Sequence, residues 1–331
     1  MNKYHVYAAG NALVDKEFGV EDQFFIDHGI EKGLMTLVSE EEQQKTIAAL
    51  EAAVSLKKRA GGGSAANTLY AMSQFGGKSF FTCKVANDET GDFFLQELGE
   101  LNIETNEASQ HVEGVSGQCL IMVTPDAERT MLTYLGVSEL MSEAEVNYER
   151  VLESEYIYLE GYLVTSPSAR DAITKLKAFA EKNGVKTAMT FSDPAMVEYF
   201  KDNVNEVLGT GVDLLFCNER EAMLWSDTDS LEAACEAMKS KAKQFAITLG
   251  AKGALLFDGE QYIRIAAHAV EAVDSNGAGD SFAGAFLYGI THGHDFETAG
   301  KLASLTSATV VSNFGPRLDG EVYRKILEQV V

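Results

Sequence analysis

The residues Asp274-Ser-Asn-Gly-Ala-Gly-Asp-Ser-Phe-Ala-Gly-Ala-Phe286 carry the most legible chemistry in the chain. A small-residue turn, Gly277-Ala278-Gly279, runs straight into Asp280 and an apolar stretch of helical character. Glycines at a helix start let successive backbone N–H groups converge on one anion, and the helix dipole adds to the pull. A carboxylate beside such a turn is repelled by the phosphate unless it has a task there. Taking the proton from a hydroxyl that attacks the phosphate is such a task. Asp280 is therefore the candidate general base, and Gly277, Ala278 and Gly279 are the candidate anion hole. A glycine turn capped by an aspartate is the bland alternative, but here glycine, acid and small-residue helix coincide in one order.

Other stretches place polar residues at the ends of expected strands. Gly10-Asn11-Ala12-Leu13-Val14-Asp15 ends the first, where open α/β sheets bind ligands. An aspartate there accepts two hydrogen bonds from a vicinal diol more strongly than a neutral side chain does; a solvated loop acid is the alternative. Gly61-Gly62-Gly63-Ser64-Ala65-Ala66-Asn67 fits the loose Gly-x-Gly-x-x-Ala dinucleotide pattern. That pattern needs a strand just before it, usually in the first βα unit. Ser55–Ala60 is a weak strand and Gly10-Asn11 holds the first βα position, so NAD binding is set aside. Gly76-Gly77-Lys78-Ser79 ends like a P-loop, but Met72 stands where the first glycine belongs, so it reads as a turn. Asn218-Glu219-Arg220-Glu221 and Thr248-Leu249-Gly250-Ala251-Lys252-Gly253 also follow strands. Alone they are an ordinary charged helix start and a common glycine turn. His292-Gly293-His294 offers two ligands after a helix end, which is a surface loop rather than a metal site.

The segment 274–286 resembles the C-terminal signature of the ribokinase-like (PfkB) carbohydrate and nucleoside kinases. Four further stretches resemble motifs of that family in family order, from Gly10 to about Gly315. The resemblance implies an ATP-dependent kinase that phosphorylates a primary alcohol, with the Gly-Ala-Gly turn as anion hole and Asp280 as catalytic base. It implies that Gly62 and Gly63 let acceptor hydroxyls approach backbone while Asn67 hydrogen-bonds one of them. Asn218 and Glu221 match the Asn-x-x-Glu motif, whose Glu positions magnesium and phosphate through water; one well-placed Glu suffices for an ion that keeps several waters. Thr248, Gly250 and Gly253 match the nucleotide loop and, with Gly277 and Gly279, would face ATP. Asn11 and Asp15 resemble the ribose grip of the adenosine-kinase branch. Tyr162 either stacks on a base at that branch's position or belongs to the core. Asn276 is shared with adenosine kinases, whereas Cys83–Asp88 keeps only the aspartate of the family's Gly-x-x-Gly-x-Asp.

These residues need a frame. Short β-rich runs alternating with amphipathic segments predict a doubly wound, mostly parallel sheet flanked by helices. Expected strands are 4–9, 79–85, 156–160, 187–191, 213–217 and 245–249. Expected helices are 64–75, 93–101, 168–182, 231–241, 278–289, 298–312 and about 320–331. Residues 33–38 and 117–135 break the alternation; the second reads as a hairpin, 118–123 and 129–135, turned at Thr124-Pro125-Asp126-Ala127. The chain is thus expected to be one kinase domain, 1–331, with a small β lid from about 11–40 and 105–136. In the family the lid sometimes forms the dimer interface, which leaves monomer or homodimer.

Lid residues Met35, Leu120 and Met122 are expected to offer apolar surface to a purine, which has two apolar faces, rather than to a hydroxyl-covered sugar. The expected acceptor is therefore the 5′-hydroxyl of adenosine or a related nucleoside, with ATP and magnesium as cofactors. A sugar kinase acting on ribose, fructose or a sugar acid is the runner-up; a catalytically silent nucleoside- or sugar-binding protein is the other alternative. Acids outnumber bases by 23, so nucleic acid and anionic membranes are not expected as partners. The four cysteines show no paired spacing and read as buried thiols of a reducing compartment. With no signal peptide or long apolar run in view, a cytoplasmic location is expected.

Overall fold

In a computed structural model, which describes residues 2–106, 112–126 and 128–331, the β-forming runs become fourteen strands in two sheets. They are β1 Tyr4–Ala9, β2 Leu13–Gly19, β3 Met35–Leu37, β4 Leu56–Gly62, β5 Ser79–Thr82, β6 Ile103–Thr105 and β7 Gly117–Val123. There follow β8 Arg129–Tyr134, β9 Ser154–Leu159, β10 Lys186–Thr190, β11 Val212–Asn218, β12 Ala242–Thr248, β13 Ala254–Phe257 and β14 Tyr262–Ile265. Residues 107–111 of the expected lid and Ala127 of the expected turn lie outside the described residues.

The larger sheet runs β14-β13-β12-β11-β10-β9-β1-β5-β6. Pairing is parallel from β6 to β12, and β13 and β14 close that edge antiparallel. Each central strand is apolar on both faces because helices cover both. In β9, Ile157 and Leu159 enter one core with the helix Pro167–Lys182, while Tyr156 and Tyr158 enter the other with Ser64–Gln74 and Ala278–Thr291. The chain winds outward from β1 in both directions, so a switch point lies between β1 and β9. Open α/β sheets gather ligands at that crevice.

The smaller sheet runs β3-β8-β7-β2-β4. Its outer face buries Phe18, Leu120, Met122 and Leu132 under the helices Asp22–His28 and Glu40–Ala53. Its inner face carries Leu13, Cys119, Ile121 and Val123. This corrects the expectation for Leu120 and Met122. Side chains alternate along a strand, so their neighbours Cys119 and Ile121 look inward and they do not; Met35 does face the cavity described below. The sheet also reaches past residue 40, since β4 is its edge strand and the helix Glu40–Ala53 packs on its outer face. The helix start is encoded by a capping box, Ser39 with Glu42.

The weak run before the glycines is a genuine strand, β4, but it pairs antiparallel with β2 instead of opening a βα unit of the larger sheet. Asp88, the residue kept from the family's third-strand loop, caps the helix Glu89–Glu100 and accepts from Ser116 Oγ at 2.6 Å. All four cysteines are free and buried. Among the described residues no helix is long and apolar enough to cross a membrane.

Candidate active site

A cavity of about 410 Å³ lies at the C-terminal ends of β1 and β9 to β12, roofed by the inner face of the smaller sheet. Asp280 enters it from the first turn of the helix Ala278–Thr291. That turn is open: Gly277 stands before it at φ 69°, and no side chain caps it. A Cβ on Gly277 would strike Pro316, whereas one on Gly279 would meet nothing within 4 Å. The backbone of the turn thus rests on the Asn313–Arg317 loop and faces the cavity, a fit for an anion such as a phosphate.

Asp280 accepts from Ser64 Oγ at 2.6 Å through Oδ1 and from Asn67 Nδ2 at 3.3 Å through Oδ2. Burial pushes its carboxyl above the ordinary range, and the bonds from Ser64 and Asn67 draw it back. The direction suits a proton acceptor. Arg317, which sequence reasoning missed, donates through Nε to Asn67 Oδ1 at 2.9 Å. That bond settles which way the Asn67 amide faces and so aims its nitrogen at Asp280. Arg317 is itself held by Glu97 at 2.9 Å and by the ring of Tyr70. One arginine on a loop has no spacing pattern to betray it.

Asp15 is 5 % exposed and lines the cavity. Burial and the nearby Glu17 raise its carboxyl to about 8, and no hydrogen bond opposes them. Gly62 is needed here because a Cβ would overlap the Asp15 carboxylate; it lies outside the lining. Gly63, in the lining at φ 92°, passes so close to the Asn11 carbonyl that no side chain fits. Asn11 donates to Glu160 Oε1 through its backbone at 3.2 Å and Nδ2 at 2.9 Å, and Ala65 N donates to Glu160 Oε2 at 2.8 Å. Glu160, fully buried at the end of β9 and raised to about 7 by burial, was not singled out from the sequence. An acid ending the strand beside the switch point was the available signal.

On the other side of Asp280, Asn218 and Glu221 form a reciprocal cap. Glu221 accepts from Asn218 N at 2.9 Å and Nδ2 at 2.7 Å, and Asn218 Oδ1 accepts from Glu221 N at 2.8 Å. Glu221 is therefore both a helix-start residue and a cavity residue, its carboxyl raised to about 8 by burial, with Asp193 and Asp280 adding repulsion. Among the described residues no cluster of three or more His, Cys, Asp or Glu could hold a metal ion alone. Glu221 and Asp193 are the carboxylates that would offer hard oxygen donors to a magnesium ion bound with phosphate and water. Thr248 lines the cavity, but Gly250 and Gly253 lie outside the lining in the turn after β12, where Gly253 lets the Ile265 carbonyl approach. Tyr162 belongs to both its expected places: it lines the cavity with its hydroxyl 3.5 Å from Asp193 Oδ2, and it packs against the core. Among the described residues, Arg129 of β8, also missed, is the cation lining the cavity. It donates to Asn276 Oδ1 at 2.7 Å and Ser275 Oγ at 3.3 Å, and lies 3.5 Å from Asp274 Oδ1.

Known proteins share this architecture. The probable sugar kinase protein from Rhizobium etli CFN 42 superposes with a TM-score of 0.93 at 31 % identity, covering 100 % of both chains. The adenosine kinase from Sinorhizobium meliloti superposes with a TM-score of 0.91 at 32 % identity over 99 % of this chain and 100 % of that one. The adenosine kinase of Saccharomyces cerevisiae is 24 % identical over 332 aligned residues, 94 % of this chain and 96 % of the yeast protein. Kinases of this kind are ATP-dependent phosphotransferases, generally used with magnesium. The family model for pfkB carbohydrate kinases matches residues 33–321, and the chain belongs to that family.

Proposed function

We propose that the chain transfers the γ-phosphoryl group of ATP to the 5′-hydroxyl of adenosine or a closely related nucleoside. The observation that carries this reading is the pairing of Asp15 with the wall above it. A buried carboxylate without a hydrogen bond suits a vicinal diol, and Leu13, Cys119, Ile121 and Met131 make an apolar surface next to it. A ribose diol on Asp15 with a purine against that wall uses both. The resemblance to proteins named adenosine kinase agrees with it.

In this reading Asn67 orients the acceptor, and Asp280 takes the hydroxyl proton as the new P–O bond forms. The N–H groups of Gly277, Ala278 and Gly279 stabilise the charge on the transferring group, whose loose transition state needs positioning and neutralisation above all. Asn218, Glu221 and Thr248 stand on the ATP side, and magnesium, when bound, supplies further neutralisation there. The smaller sheet acts as a lid that excludes water.

The likeness to a probable sugar kinase supports a second reading, a free sugar as acceptor. Coupled ADP detection with adenosine, ribose and fructose separates the two. Adenosine should show the highest kcat/KM; turnover of a free sugar with none of any nucleoside would promote the sugar reading.

A further inference from the structure

Two buried polar groups that this chemistry does not use face each other where the smaller sheet meets the anion-hole turn. Glu17 on β2 is 0 % exposed, and neither of its carboxylate oxygens has a hydrogen-bond partner. The side-chain nitrogen of Asn276, one residue before Gly277, is also buried without a partner. It stands just outside hydrogen-bonding geometry, yet near enough to counter the burial and the Asp274 charge that raise the Glu17 carboxyl to about 7. The other edge of the amide is occupied, since Arg129 Nη1 donates to Asn276 Oδ1 at 2.7 Å. Its backbone N donates to Asp274 Oδ1 at 2.9 Å.

The remaining charged neighbours do not satisfy Glu17. Lys58 is its cross-strand partner on β4, but the ammonium donates to the Arg317 carbonyl at 3.2 Å. Arg129 is taken up by Asn276, Ser275 and Asp274. A buried acceptor left open is destabilising, and a buried donor left open adds to that. One short displacement would satisfy both. Glu17 lies two residues beyond Asp15 on the same face of β2, so whatever moves one moves the other.

We infer that Glu17 is a positioning residue for the anion hole, accepting a hydrogen bond from Asn276 Nδ2 when a bound acceptor draws β2 inward through Asp15. This rests on the phosphoryl-transfer reading above. The bond ties the strand that grips the acceptor to the turn that receives the phosphate. The anion hole is then fully held only with an acceptor in place, which disfavours transfer to water.

The test is a donor–acceptor reversal. E17Q keeps an acceptor oxygen and should stay within about threefold of wild-type kcat. E17A and N276D, the latter setting a carboxylate against Glu17, should each lower kcat about tenfold or more with acceptor KM within about twofold. E17Q combined with N276D reverses the two roles and should recover most of the loss. Melting temperatures of all four variants separate this from simple destabilisation. Losses that multiply in the double variant, or an E17A kcat equal to wild type, overturn the inference. Should N276D fail to fold, acceptor-free ATP hydrolysis decides: its ratio to transfer should rise severalfold in E17A but not in E17Q, and an unchanged ratio overturns the inference. Wild-type turnover is the separate control, because absence of transfer to any alcohol sinks the phosphoryl-transfer reading itself.

Discussion

Asp280 sits among groups that restrain its basicity without cancelling it, so its removal should be felt in turnover more than in binding. D280N keeps the side chain's size but cannot take a proton. Turnover should fall by ~10²–10⁴ with ATP affinity little changed, measured by coupled ADP release and by calorimetry; a variant keeping a tenth of normal turnover would remove Asp280 from the role. Arg317 acts one step back, through Asn67. R317A frees the Asn67 amide to rotate and should lower kcat, while R317K, which keeps charge but lacks the fork, should rescue only part of the loss. At Asp15 the expectation concerns the substrate: 2′- and 3′-deoxyadenosine should each be poor, since a buried carboxylate left half-paired costs ~1–3 kcal/mol. Robust use of both would show that the diol does not sit on Asp15. Residues with a fixed order, such as Gly277 to Asp280, were readable from the chain alone. Arg129, Glu160 and Arg317 were not, because each acts singly and gains meaning only from contacts between distant segments.

The elements differ in how openly the sequence announces them. Six parallel strands of the larger sheet, β1, β5 and β9 to β12, are short apolar runs bounded by turns and form within a few residues of expectation, whereas β2 and the short edge strand β6 were not expected. The strand β7 is buried at all seven positions, so no alternation shows which side chains look inward, and the wrong pair was assigned to the cavity. The run in β4 read only as a weak strand because Lys57, Lys58 and Arg59 give it little apolar character until its pairing with β2 is seen. The two faces of β7 now make opposite predictions. M122A removes packing under the helices Asp22–His28 and Glu40–Ala53 and should cost ~2–5 kcal/mol of stability with acceptor KM nearly unchanged. I121A removes part of the cavity wall and should raise acceptor KM beyond any loss of stability. Chemical denaturation and steady-state kinetics on both variants check this; equal effects on KM would mean that the strand is out of register.

At the scale of the molecule, several buried acids push the same way. Asp15 and Glu221 are raised to about 8 and Glu160 and Glu17 to about 7, chiefly by burial. The unfolded chain holds such carboxyls near ~4, so folding takes up protons and is favoured by acid. Their contribution is complete below that value and is lost as pH climbs through 7 to 8. The net charge of −23 adds repulsion in the same direction. His5, held below its ordinary value by burial and His292, works oppositely and only as pH falls below ~6.5. The ligand-free melting temperature should therefore fall between pH 6.5 and 8.5, less steeply in D15N, and scanning calorimetry across that range would expose a flat profile if the acids are compensated. The same architecture has a consequence in time. Every strand is complete by Ile265, yet Gly315 N anchors Asp274, Pro316 underlies Gly277 and Arg317 aims Asn67. During synthesis the sheets can assemble well before the Gly277–Asp280 turn has its support, so a nascent chain stalled before Asn313 should be folded in large part yet lack the arrangement around Asp280.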